Sequence, residues 1–272
     1  MTTQIFLYAP APNPLPATFP NPGNWNTVNQ IECVGSGGVG STPYNAPLAE
    51  GATDTGVEPL GGTATGPAGG GGAYATANNV NLPFPVPFTV TPSNRTGAQN
   101  SIFVTWGANN TTSAGATVFA AVGTNGQGMG GGGSAGTQFG PGGFAGGTGF
   151  GSSGQSTAGG GAGGAAGPHG AGASGAAVAG GASDNNTVAG GATVGANGAK
   201  GVQWDNVHGT GAGGAGSAAG VNGGAATGFG GGGGAGTPGA GTSLPGNGFA
   251  GLIVLTYTPL PPPVGLQAMI IA

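Results

Sequence analysis

The chain has 272 residues, of which 70 are Gly and 22 are Pro, so about a third of it consists of the two residues that interrupt helices and strands. Charged residues make up only 3% of the chain, with two Lys or Arg, six Asp or Glu and a formal net charge of −4. Two cations cannot form the positive patch that nucleic-acid binding requires. We therefore predict no nucleic-acid partner.

Further classes of protein are disfavoured by simple counts. The single cysteine, Cys33, excludes an intrachain disulfide framework and a multi-cysteine metal site. The first ten residues lack the basic start and apolar core of a signal peptide, and no stretch approaches the roughly 18 apolar residues of a membrane span. We expect a protein made in a cytosol, without membrane insertion. The longest stretch free of Gly and Pro, Asn24–Val34, has 11 residues, which leaves essentially no room for α-helix.

The N-terminal part of the chain carries six short runs rich in β-branched and aromatic residues. Each run is bounded by Gly, Pro or Asn, a pattern that is typical of β-strands. The runs are Gln4–Tyr8, Thr27–Val34, Tyr74–Val80, Pro87–Thr91, Ile102–Trp106 and Thr117–Val122. Far along the chain, Leu252–Thr258 is the most strand-like segment of all. We predict that it pairs back with the N-terminal strands, so that the Gly-rich region between them is an insertion.

The Gly-rich region consists of runs of Gly, Ala, Ser and Thr separated by short segments that also contain larger side chains, which we call the richer segments. The regular structure open to such runs is the polyglycine II helix, with three residues per turn and no internal hydrogen bonds. Its backbone groups can bond to neighbouring helices where Gly or Ala lets the chains approach. Collagen is excluded, because it needs Gly at every third position over long runs. Here that spacing holds only from Gly161 to Gly170 and is broken at Ala173. We read the runs as rods and the richer segments as turns.

These observations predict an all-β or irregular fold. It comprises a small antiparallel β domain with an inserted polyglycine II helix bundle and essentially no α-helix. The expected division is an N-terminal β region over residues 1–125, the bundle over 126–248, a closing strand over 249–258, and a Pro-rich apolar arm over 259–272.

The catalytic motifs in the chain are explained by its composition. The G-x-G-x-x-G pattern recurs because Gly is so frequent, and no helix is available to complete a dinucleotide site. Gly132–Gly136 matches G-x-S-x-G, a motif that needs a strand-to-helix turn. Asp205 and His208 are residue types found in catalytic triads. Their closeness in the sequence does not establish a triad, because triads are recognised by geometry. We read them and His169 as polar turn residues, and we expect a protein that is not an enzyme and has no cofactor or metal.

The aromatic residues leave two interpretations open. They either cap the ends of the bundle or stand on turns as a binding face, where rings stack on sugars or fill receptor pockets. The best binding candidates combine a ring, an acid and an amide in one segment, which suits a carbohydrate. The receptor-binding candidates are Trp204, Asp205, Asn206 and His208, with Asn185, Asn186, Phe139 and Phe144 as further members.

The C-terminal arm ends in an apolar segment. Four large side chains follow a run of prolines in a chain otherwise poor in large hydrophobic residues: Leu266, Met269, Ile270 and Ile271. Because a free end of this kind does not form a core of its own, we predict that it docks on another chain as an assembly arm. The alternative is a groove in its own subunit.

Several segments together resemble a known family. They are Gly23-Asn24-Trp25, Ile31–Gly40, Gly69–Ala75 and the closing Gly248–Tyr257, which flank a long Gly-rich centre. In this order they resemble the glycine-rich domain of bacteriophage and prophage tail-fibre proteins over most of residues 20–258. The expected bundle is also similar in architecture to the polyglycine II tail-tip adhesins of T-even-like phages.

The resemblance implies a non-enzymatic structural protein of the virion. Its role would be that of a tail-fibre or surface-fibre component, or of a receptor-binding tip adhesin in host attachment. The implied partners are other virion proteins, further copies in a homo-oligomer (a trimer is expected), and a host surface carbohydrate or outer-membrane receptor. Two alternatives stay open. A cellular surface or extracellular matrix protein predicts a secretion signal, and an ice-binding protein predicts regular Thr spacing along the rods.

Overall fold

The computed structural model describes fifteen stretches of the chain, and the account below concerns these alone. They are residues 2–8, 15–40, 68–81, 84–90, 103–107, 116–126, 138–139, 142–150, 159–177, 179–184, 197–198, 201–205, 207–217, 222–236 and 244–261. Within them the chain forms ten β-strands and no helix. The predicted all-β fold without α-helix is confirmed for this part of the chain.

The strands form two antiparallel sheets of five strands each. In chain order they are β1 Thr3–Leu7, β2 Leu15–Phe19, β3 Asn29–Val34, β4 Tyr74–Asn78, β5 Val86–Val90, β6 Phe103–Gly107, β7 Ala116–Ala121, β8 Gln138–Phe139, β9 Gly142–Phe144 and β10 Leu252–Tyr257. Sheet A has the order β1-β10-β3-β4-β9, and sheet B has the order β2-β5-β6-β7-β8.

Strand β10 lies between β1 and β3, as the pairing prediction requires. Ile253 is opposite Cys33 on one side and Leu7 on the other, and Tyr257 is opposite Asn29 and Thr3. The prediction that the last strand pairs with N-terminal strands is confirmed. The two ends of the long Gly-rich region also lie close together, because Gly123 donates to Ser36 and the adjacent Gly37 donates to Phe249.

The central strands β3 and β10 of sheet A are buried on both faces. Successive side chains of a strand point to opposite sides, so each of these strands contributes to two layers. In β3, Ile31 and Cys33 face the core between the two sheets. Val34 faces a second apolar cluster, on the outer side of sheet A, that includes Ala165 and Ala166 of the Gly-rich region. Glu32 alternates with Ile31 and Cys33, so the strand carries a carboxylate into this outer layer.

Several strands continue directly into extended rods at one end of the sandwich. The rods 35–40 and 122–126 follow β3 and β7, and the rods 68–73 and 244–251 lead into β4 and β10. Two of these rods lie before residue 100, so the bundle is assembled from both halves of the chain.

Backbone hydrogen bonds join the rods with a period of three residues. In the rod 68–73, residues three apart donate to the same neighbouring segment and successive residues donate to different ones. The bonds run from Gly69 and Gly72 to Gly233 and Gly230, from Gly70 and Ala73 to Thr124 and Ala121, and from Ala68 and Gly71 to Phe150 and Gly147. Three residues per turn with lateral bonds to three neighbours is the pattern of a polyglycine II bundle.

The rod 159–167 repeats this pattern at the centre of the bundle. Successive residues donate to different neighbouring rods, and residues three apart donate to the same one. Gly159, Ala162 and Ala165 donate to the rod 211–217, Gly161, Gly164 and Gly167 to the rod 170–176, and Gly163 and Ala166 to the rod 68–73. The chains approach so closely that a methyl group on Gly163 would lie 1.9 Å from the carbonyl oxygen of Gly147. Backbone packing therefore takes the place of a side-chain core in this part of the protein.

Candidate functional site

The structure places three of the predicted binding residues in one turn on the outer face of sheet A. Trp204 and His208 both contact side chains of that sheet, and Asp205 lies between them. Phe144 belongs to β9 at the opposite edge of sheet A, and Phe139 is in β8 of sheet B. The structure therefore does not bring Phe144 together with the turn. Outside the described residues lie Asn185, Asn186, Asn206, Leu266, Met269, Ile270 and Ile271.

Asp205 and His208 close this turn on themselves. The Oδ1 atom of Asp205 accepts hydrogen bonds from the backbone N–H groups of Val207 at 2.7 Å and His208 at 2.5 Å. Its Oδ2 atom lies 2.7 Å from Nδ1 of His208. The backbone and side-chain hydrogen bonds from His208 lower the pKa of Asp205 to about 2. Asp205 is therefore an ionised carboxylate at neutral pH, in a fixed orientation.

The imidazole of His208 lies within a cluster of aromatic rings. It stacks on Phe6 of β1 with ring centroids 3.8 Å apart, and its centroid is 6.0 Å from that of Phe229. Tyr8 lies 5.9 Å from His208 and 5.5 Å from Phe229, and Phe249 lies 5.2 Å from Phe229. We call these five residues the aromatic cluster. Aromatic pairs at such separations stabilise the contact beyond their buried area.

Glu32 is a buried acidic residue at this site that was not among the residues predicted from the sequence. It is only 3% exposed, and its two carboxylate oxygens accept hydrogen bonds from the hydroxyl of Tyr74 at 2.6 Å and from Nε1 of Trp204 at 2.9 Å. Burial raises the pKa of Glu32, while the two hydrogen bonds oppose that rise. The signal in the sequence was an acid between the apolar residues Ile31 and Cys33 of a predicted strand.

Because of this contact, the polar edge of Trp204 is directed into the protein. Its ring is half-buried against the outer apolar cluster of sheet A. Trp204 therefore anchors the turn to β3, whereas the binding interpretation expected its ring to be available to a ligand.

A second buried carboxylate joins this turn to the next one. Asp184 is 4% exposed and accepts hydrogen bonds from the backbone N–H groups of His169 and Gly170, at 2.8 and 2.9 Å. It also lies 2.8 Å from Nδ1 of His169 and accepts a bond of 2.6 Å from the side-chain amide of Gln203. Gln203 in turn bonds to both the hydroxyl and the backbone of Thr210. The polar side chains therefore tie three segments of the bundle together.

The arrangement suits binding better than acid–base chemistry. The polar groups of the turn are engaged with one another, and its outer surface presents aromatic rings beside a carboxylate. Among the described residues, no group of three His, Cys, Asp or Glu side chains converges as a metal site would require. Within the same residues, no helix has the length and apolar character needed to cross a bilayer. Comparison with known protein families and with curated proteins finds no match for this chain.

Proposed function

We propose that this chain is a non-enzymatic structural protein of a bacteriophage virion. In this proposal it is a component of a tail fibre or other surface fibre and contributes to host attachment as a receptor-binding adhesin. It assembles with other virion proteins and with further copies of itself, for which a trimer is the expected state. The C-terminal arm over residues 259–272 mediates the docking between chains.

The observation that carries this proposal is the direct continuation of sheet strands into laterally bonded rods. The rods 35–40, 68–73 and 244–251 join β3, β4 and β10 without an intervening loop. A body of this kind is stiff in every direction across the rods, because each rod bonds to several neighbours. Stiffness without a large side-chain core suits a part that must project from a particle and hold a surface in place.

The second support is the composition of the turn on sheet A. Its polar groups are anchored inward by Glu32 and Asp184, and aromatic rings lie beside the ionised Asp205 at its surface. A preformed surface of this type favours attachment to a partner, since little ordering is left to occur on binding.

The proposal is tested by locating the chain in particles. An antibody raised against the full chain should label the fibres of natively purified virions in immunogold electron microscopy. Mass spectrometry of the same particles should detect the chain in a constant ratio to the other fibre proteins. Detection only in the cell-envelope or matrix fraction would replace this proposal with the cellular surface alternative. Thermal hysteresis of the purified chain in ice would favour the ice-binding alternative.

A further inference from the structure

The outer face of sheet A is open at the end of the strands that lies away from the rods. Near the rods, Val254 of β10 lies in the outer apolar cluster together with Ala165 of the Gly-rich region. Alternation along β10 places Thr256 on the same face, farther from the rods. Val28, just before β3, is 59% exposed, and Thr258, just after β10, is exposed as well.

These residues line one groove across the ends of three neighbouring strands. Its walls are Thr2, residues 28–30 and residues 256–258, and its volume is about 210 Å³. The surface inside it is mainly apolar, and none of the lining residues is charged. We call it the outer groove. An occupant that matches it is apolar and uncharged.

The C-terminal arm contains a segment of this chemistry. Residues 266–272 carry the four large apolar side chains of the predicted assembly arm and no charged side chain. They lie outside the described residues, which end at Pro261. Five residues separate Leu260 from Leu266, and an extended chain of that length spans at most about 20 Å. Because residues 256–258 line the groove, the arm begins beside a surface of matching character.

The start of the arm leads away from the groove of its own chain. The amide of Leu260 donates to the carbonyl of Asn24 at 2.8 Å, and the side chain of Asn24 accepts a bond of 3.1 Å from the hydroxyl of Tyr257. The ring of Tyr257 packs on Trp25, which contacts the core between the two sheets. The arm therefore starts on the inner side of sheet A, whereas the groove is on the outer side.

The sequence that follows opposes a reversal of the chain. Residues 261–263 are three consecutive prolines, and Pro-rich segments are extended and stiff. A segment that leaves on the inner side and continues straight does not return to the outer side of the same sheet. A second copy placed next to this end offers its groove without any reversal.

We propose that the outer groove of each copy binds the apolar segment 266–272 of a neighbouring copy. This inference rests on the docking role of the arm proposed above and names the surface that receives it. Arm and groove are different surfaces, so the contact is head-to-tail, and a head-to-tail contact that closes on itself forms a ring. In a ring of three, every arm and every groove is occupied, in keeping with the expected trimer.

The test places one charge in the groove and one in the arm of the full chain. Val28→Asp alters the groove, and Ile270→Asp alters the arm. Each charge would be buried without a partner in the contact, so each should weaken self-association at least about a hundredfold in analytical ultracentrifugation. Because Val28 is exposed in the single chain, Val28→Asp should keep a Tm within about 2 °C of a monomeric arm variant.

The matched control introduces the same charge at an equally exposed apolar position. Leu244 is 60% exposed at the start of the rod that leads into β10, away from the groove. Leu244→Asp should leave self-association unchanged. A loss as large as that in Val28→Asp would overturn the inference, because the effect would then not depend on the groove.

Mixing the two variants tests whether the contact lies between chains. The Val28→Asp chain keeps its arm, and the Ile270→Asp chain keeps its groove. An equimolar mixture should therefore form a species of two chains that neither variant forms alone. A mixture that stays monomeric, or a wild-type chain that is itself monomeric, would overturn the inference in favour of a contact within one chain.

The remaining outcomes separate this inference from the function on which it rests. Association that is lost in Ile270→Asp and kept in Val28→Asp would overturn the groove as the receiving surface but leave the docking role of the arm. The reverse pattern would overturn it in favour of a different occupant of the groove. Association that is kept in both variants would remove the docking role together with the inference. Restored association in the mixture, by a chain that is absent from virions, would support the groove contact and remove the fibre role alone.

Discussion

Close backbone packing of the rods predicts that one added methyl group will destabilise the protein strongly. In the variant Gly163→Ala, the new Cβ would lie 1.9 Å from the carbonyl oxygen of Gly147, whereas ordinary contact begins at 3.4 Å. The two rods would have to separate by about 1.5 Å, which is enough to break hydrogen bonds of ordinary length. Two bonds join these rods: Gly147 donates to Gly164 at 2.8 Å, and Phe150 donates to Gly161 at 2.9 Å.

The cost follows from these two bonds and from the strain that remains. A buried backbone group left without its partner costs about 1–3 kcal/mol, and overpacking costs a further 1–3 kcal/mol or so. Reduced flexibility of the unfolded chain offsets about 0.4–1 kcal/mol of this. The expected loss of unfolding free energy is at least about 2 kcal/mol, which corresponds to a decrease in Tm of at least about 4–8 °C for a protein of this size.

The assay is thermal unfolding followed by calorimetry, with urea unfolding as a second measurement. The matched control is Ala176→Val, which adds two methyl groups to an exposed position of the neighbouring rod 170–176. Its expected effect is within about 0.5 kcal/mol of wild type. If Gly163→Ala melted within about 2 °C of wild type, the close packing of the rods would be refuted.

Three further predictions concern the sheets and the ends of the chain. Burial raises the pKa of Glu32, so the wild-type protein should lose stability as pH rises from the unfolded-state pKa through the higher folded-state pKa. Glu32→Gln should abolish that loss and be the more stable variant at pH 8, and equal pH slopes in urea unfolding would contradict this. Leu255→Ala empties a fully buried site between the sheets and should cost about 2–5 kcal/mol in urea unfolding, unless the site collapses completely. Deletion of residues 260–272 should reduce the oligomer seen by light scattering, and an unchanged oligomer would exclude the docking role of the arm.

Composition and alternation in the sequence were sufficient to predict most of the sheet strands. Strand β3 lies within the predicted Thr27–Val34, and β10 lies within the predicted Leu252–Thr258. Strand β2 was missed because Pro16 lies in it and the preceding segment is rich in Pro. A Pro is accommodated there because β2 is at the edge of sheet B, where one side of the strand needs no partner. Strand β9 was missed because its Gly residues carry no strand signal.

The sequence alone also determined that rods would form, since runs of Gly and Ala can approach one another through their backbones. It could not determine which rods become neighbours, because runs of small residues are nearly alike and a backbone bond carries no side-chain identity. Only the tertiary structure therefore placed Trp204 against Glu32, 172 residues away along the chain. The same lateral arrangement brought His208 onto Phe6 and left the side chain of Asp205 43% exposed. The identity of the candidate site was decided by the packing of the rods, whose individual sequences do not encode a register.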